Sequence, residues 1–103
     1  MKLLKGSDNV RDPKRIKEML NLLEQIWNYM PDWRFNQLIS NLQMAFHQKT
    51  KRGTVCFNYE KNHFGMLEAR QWAVDLFHIE DDEFIKFLKE YLEKLQKQYE
   101  KGE

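Results

Sequence analysis

A chain of 103 residues, 42% hydrophobic and 32% charged, has the make-up of one folded domain, which excludes a disordered or low-complexity protein. Its net charge of +1 argues against a uniformly basic nucleic-acid binder, and its one cysteine, Cys56, rules out an internal disulfide. A reducing, cytoplasmic setting is therefore expected, since Met1 to Leu4 is too short for a secretory leader and nothing approaches a membrane span.

Residues 1–11 read as a mobile arm ahead of a single helical domain, 12–101. Asp12-Pro13 is a helix start, with an aspartate to cap and a proline whose fixed φ suits the first turn. Ile16, Met19, Leu20, Leu23, Ile26, Trp27 and Met30 then form a wide apolar stripe that Pro31 ends. Asp32 is the expected cap of a second helix, 33–48, whose core face is Phe35, Leu38, Ile39, Leu42 and Ala45 or Phe46. Beside that face runs a polar stripe, Arg34, Gln37 and Asn41. Its place at the edge of the core predicts a structural cluster in which Arg34 meets Asp75, Glu80 or Asp82. A groove lined by the same polar groups is the functional alternative.

Lys49 to Gly53 breaks the helical pattern. In 54–60, Val55, Phe57 and Tyr59 alternate with smaller or polar residues, the period of a strand. With no obvious pairing partner, this segment is expected to be an extended loop, or a short hairpin with residues near 62–66. Met66, Ala69, Trp72, Ala73 and Leu76 predict a third helix over 65–76. The last helix starts near Asp81, with Phe84, Leu88, Tyr91, Leu92, Leu95 and Tyr99 inward and acids in the first turn. The expected fold is all-α: a compact bundle of about four helices with one extended or short β-like segment near 54–60.

The motifs Asp12-Pro13-x-Arg15-Ile16, Trp27, Pro31-Asp32-x-Arg34-x-x-Gln37-Leu38-Ile39-x-Asn41 and Asp75-x-Phe77-x-x-Glu80-Asp81 resemble a family of small uncharacterised helical proteins of phages and bacteria. The likeness spans about 12–46 and 75–92 and leaves 47–74 as an insertion. It implies a mobile-element origin and lends no catalytic residue.

No Cys-x-x-Cys or His-x-x-x-His spacing offers a metal site, no glycine-rich loop offers a phosphate or dinucleotide site, and no cofactor is implied. A Cys56–His63 nucleophile pair lacks an oxyanion donor. The favoured reading is a non-enzymatic protein-interaction module or modulator. Fourteen aromatic residues are a large supply for so small a domain, and Trp33, Arg52, Phe57, Tyr59, His63 and Phe64 are the candidate contacts with another protein. The alternative is nucleic-acid binding, with Lys49, Lys51, Arg52 and Lys61 flanking Phe57 and Tyr59. A homodimer through the last helix is compatible with either.

Charge is uneven along the chain. Residues 1–17 carry six basic groups against two acidic, and 75–103 carry nine acidic against five basic. Pairing of these segments within the molecule is the simplest expectation.

Overall fold

The computed structural model describes residues 11–101, with only the backbone of Gln71 and Lys101 considered. The expected arm, 1–11, lies outside the described residues except for Arg11. The element order is α1 (Lys14–Tyr29), α2 (Phe35–Thr50), β1 (Thr54–Lys61), β2 (Leu67–Asp75) and α3 (Asp81–Lys101).

Helix α1 forms where the stripe predicts. A carboxylate oxygen of Asp12 accepts the Lys14 amide at 2.9 Å, and the helix closes when Met30 N–H reaches the Trp27 carbonyl, one residue before Pro31. Helix α2 is capped by Arg34 rather than Asp32. Arg34 is extended (φ −71°, ψ 157°), and its N–H donates to Gln37 Oε1 at 2.8 Å. Gln37 therefore satisfies one orphan amide at the helix start, which is the side-chain half of a capping box. Lys51, at φ 62°, ends α2 with its N–H on the His47 carbonyl.

The three helices share one core. Leu22 and Ile26 from α1, Leu38, Leu42 and Phe46 from α2, and Ile85, Phe87, Leu88, Leu92 and Leu95 from α3 are all buried. Phe46 sits at its centre, 5.4 Å from the Phe84 ring and edge-on to Phe87 at 5.5 Å. Burying a side chain of this size is worth roughly 1.5–3 kcal/mol, so these ten residues hold the helices together.

Residues 54–75 contradict the all-α expectation. Among the described residues the fold is α+β, three helices and a two-stranded antiparallel hairpin, so the expected bundle of about four helices does not describe it. The segment expected as a helix over 65–76 is strand β2, and the 54–60 loop is an eight-residue strand, β1. The pairing runs Thr54↔Asp75 through Asn58↔Gln71, then shifts so that Tyr59 faces Ala69 and Lys61 faces Leu67. Arg70 is the extra residue, a β-bulge. That bulge is the physical reason for the misreading. Leu67 and Ala69 alternate in one phase and Trp72 and Val74 in the other, so no single period of two runs along the strand.

The hairpin returns through residues 62–66. Both the Phe64 and Met66 amides donate to Asn62 Oδ1, at 2.9 and 3.0 Å. Gly65 supplies the positive φ, 77°, that this turn requires.

Candidate interaction surface

In an antiparallel pair, residues directly opposite one another project from the same face. Val55, Phe57 and Tyr59 of β1 therefore share a face with Val74, Trp72, Ala69 and Leu67 of β2. At the base of the hairpin this face is seated: Val74 is buried and Val55 half-buried, where β2 meets α2. Farther out it runs past the helices with nothing among the described residues behind it. Phe57 is 53% exposed, Tyr59 57% and Trp72 43%, and the Phe57 and Tyr59 rings lie 6.2 Å apart. Leu67, Met66 and Phe64 continue the apolar surface to the tip, where Phe64 is 85% exposed. The opposite face carries Thr54, Cys56, Asn58 and Glu60 against Glu68, Ala73 and Asp75, so one side of the ribbon is mostly polar and the other is apolar as far as Lys61, which stands opposite Leu67 at the end of β1.

The charges around the ribbon are mostly spent within the molecule. Arg70 reaches both Glu60 and Glu68, at 3.4 and 3.3 Å, Arg52 holds Glu83 at 2.8 Å, and Lys49 holds Glu90. The Lys49 ammonium, hydrogen-bonded to Glu90, lowers the Glu90 pKa below the usual carboxylate range. Among the described residues, Lys51 and Lys61 form no ion pair.

The sequence-derived contacts fall into two groups. Phe57, Tyr59 and Phe64 are on the exposed surface, and His63 is exposed in the tip turn beside Phe64. Trp33 and Arg52 are elsewhere. Trp33 is half-buried against the core, and its carbonyl accepts the Trp27 indole N–H at 2.8 Å. Arg52 is held at the base of the hairpin, its carbonyl receiving His47 Nδ1 at 2.7 Å. Trp72, Leu67 and Met66 were missed because their segment reads as a helix; Trp72 is recovered once it is placed opposite Phe57.

The polar cluster expected around Arg34 does not assemble. Arg34 is exposed and forms no ion pair among the described residues, Gln37 caps α2, and Asn41 is half-buried. Asp75 accepts the Phe77 amide in the turn after β2, and Asp82 is exposed in the first turn of α3. Glu80 is taken by Arg11 through paired contacts of 2.9 and 2.8 Å, which hold its carboxyl below the usual range, and Arg15 meets Asp81 at 2.6 Å. Thus basic residues of the α1 end do pair with the acidic start of α3, as the charge distribution implied.

A second apolar hollow lies beside α1, where Leu20, Leu23, Trp27 and Phe35 line a space of about 420 Å³. Cys56 lies near the start of β1 and His63 in the tip turn beyond its other end, and the strand from Cys56 to Lys61 alone spans about 17 Å, too far for a nucleophile and its base. Among the described residues no group of three histidine, cysteine or acidic side chains could hold a metal, and no helix is long and apolar enough to cross a membrane.

No family model, curated protein or solved structure matches this chain. The resemblance to small phage and bacterial proteins thus stands on its motifs alone, and these lie on α1 and α2 with the connections before them, and on the segment from Asp75, the last residue of β2, to Asp81.

Proposed function

We propose that this chain is a non-enzymatic protein-interaction module whose contact surface is the outer apolar face of the hairpin. The observation that carries the reading is the half-exposure of Phe57, Tyr59 and Trp72 on one face of a ribbon that overhangs its own core. A two-stranded ribbon is marginal by itself, and aromatic rings left in water there contribute little to folding. Against a partner, the same rings are rigid anchors with large apolar area. The matching partner surface is apolar, because most of the charges around the ribbon are already paired within the molecule.

Nucleic acid fits the ribbon less well. Of the four basic residues in 49–64, Lys49 and Arg52 are paired with Glu90 and Glu83, which leaves Lys51 and Lys61 beside the rings, a small charge for holding phosphates.

The test is capture of proteins from a host extract on the immobilised chain, compared with Phe57→Ser and Trp72→Ser. The expected result is a protein retained by the parent and lost from both variants while their melting curves stay with the parent. Retention unchanged by either substitution removes this face from the reading. Binding of single-stranded DNA or RNA with a steep loss between low and physiological salt replaces it with the nucleic-acid alternative.

A further inference from the structure

We propose that the outer edge of β1 pairs with the β1 edge of a second copy of this chain, antiparallel about a two-fold axis at Asn58, to make a four-stranded sheet. The inference concerns the backbone edge of the ribbon, and so stands or falls separately from the use of its apolar face.

The edge itself is the first observation. β1 spans eight residues without proline, glycine or a bulge, and pairs with β2 alone; the bulge, at Arg70, lies on the other strand. No backbone hydrogen bond links β1 to a helix among the described residues. From Thr54 to Tyr59 it carries no charge, and Glu60 and Lys61 come only at the end. Strands left at an edge are ordinarily blunted by lysine, proline or a bulge along their length, because open N–H and C=O groups otherwise recruit another strand. None of these devices interrupts β1 before its last two residues.

The second observation is self-complementarity. A two-fold pairing sets residue i against a fixed partner j, and j against i. Centred on Asn58, it places Asn58 against Asn58, Phe57 against Tyr59, Cys56 against Glu60 and Val55 against Lys61 of the other copy. No like charges meet, and the two Asn58 amides, each both donor and acceptor, face each other. Odd-numbered residues of β1 remain opposite odd-numbered ones, so the apolar face continues across the new junction, with Lys61 of each copy at its ends. Phe57 opposite Tyr59 is an aromatic cross-strand pair, formed twice. The register also carries the two helical layers to opposite ends of the sheet, since Thr54 of one copy comes level with the tip turn of the other.

The experiment is light scattering on the eluting full-length chain, with two variants. The parent is expected at twice its 12.7 kDa mass at micromolar concentration, and Asn58→Lys, which opposes two ammonium groups at the axis, at the monomer mass with an unchanged circular dichroism spectrum. In the second variant, Asn58→Cys in a Cys56→Ser background, the two introduced thiols lie opposite each other and mild oxidation yields a covalent dimer. Cys56 of the parent lies across from Glu60 and does not cross-link. A parent that stays monomeric overturns the proposal, and so does an Asn58→Lys protein that remains dimeric, which transfers the contact to the apolar face or the hollow beside α1. Cross-linking of the parent through Cys56 with none in the Asn58→Cys variant overturns the register.

Discussion

Two glycines carry the sharpest residue-scale expectations. Gly53 joins α2 to β1 at φ 96°, and a Cβ placed on it comes within 2.5 Å of Leu76 Cδ2 and 3.2 Å of the Asp75 carbonyl. Gly65, at φ 77°, has nothing within 4 Å. Alanine at Gly65 therefore meets only the backbone penalty, about 1–2 kcal/mol. At Gly53 the same penalty is joined by a clash with a side chain and a carbonyl, so Gly53→Ala is expected to lose roughly twice as much. Urea denaturation of both variants checks the order. Equal losses would mean that the loop ahead of β1 shifts freely, and that the seat of the hairpin on α2 is softer than its geometry implies.

At the scale of elements, the chain divides into parts that are held and a part that is displayed. Phe46→Ala is expected to cost about 3–5 kcal/mol, because the ring is fully buried among Phe84 and Phe87 and its removal leaves a cavity. Phe57→Ala and Tyr59→Ala, at the half-exposed positions, should each stay within about 1 kcal/mol of the parent. Chemical denaturation of the three variants separates the groups; a loss at Phe57 comparable to that at Phe46 would make the hairpin face part of the core.

The same division explains what the sequence revealed. All three helices were legible because each repeats its apolar residues every three or four positions across a face wide enough to bury, as Met19, Leu23 and Ile26 do in α1, although Ile16 and Leu20 of that stripe are exposed and Leu22, outside it, is buried. Strand β2 was not. The bulge at Arg70 changes the phase of its alternation, while Met66, Ala69, Trp72 and Ala73 happen to match the spacing of a helix. Phe57, Tyr59 and Phe64 were legible as candidate contacts from the surplus of aromatic residues alone, which does not decide whether a ring packs on the helices or faces water. Trp72 depended on a pairing between strands that local periodicity does not encode. Trp33 and Arg34 were misplaced for a related reason: the connection from α1 to α2 is tight, so Trp33 turns inward and its neighbour's amide is capped by Gln37.

Over the whole molecule, the N-terminal half of α3 is bound by opposite charge to its neighbours. Arg11 meets Glu80, Arg15 meets Asp81, Arg52 meets Glu83 and Lys49 meets Glu90, while Glu18 of α1 holds Lys89. Each pair is solvent-exposed and screened, and so contributes little singly. Together they fix which end of α3 lies beside α1 and the end of α2. The pairs also set the response to acid. The Arg11 guanidinium lowers the Glu80 pKa and the Lys49 ammonium lowers that of Glu90. A carboxylate whose folded pKa is depressed adds stability that is full above its unfolded pKa, near 4.3 for glutamate, and is lost as pH falls through the folded value. The melting temperature should therefore be level between about pH 7 and pH 5.5 and fall below about pH 4.5 as these carboxylates take up protons. Glu80→Gln and Glu90→Gln together should lower the plateau slightly and flatten the fall. Raising the salt from 0.05 M to 0.5 M should narrow the gap between the parent and the double variant, because screening weakens pairs at this exposure. If the double variant instead follows the parent through acid, the Arg11–Glu80 and Lys49–Glu90 pairs do not carry the response, and the anchoring of α3 rests on its apolar face.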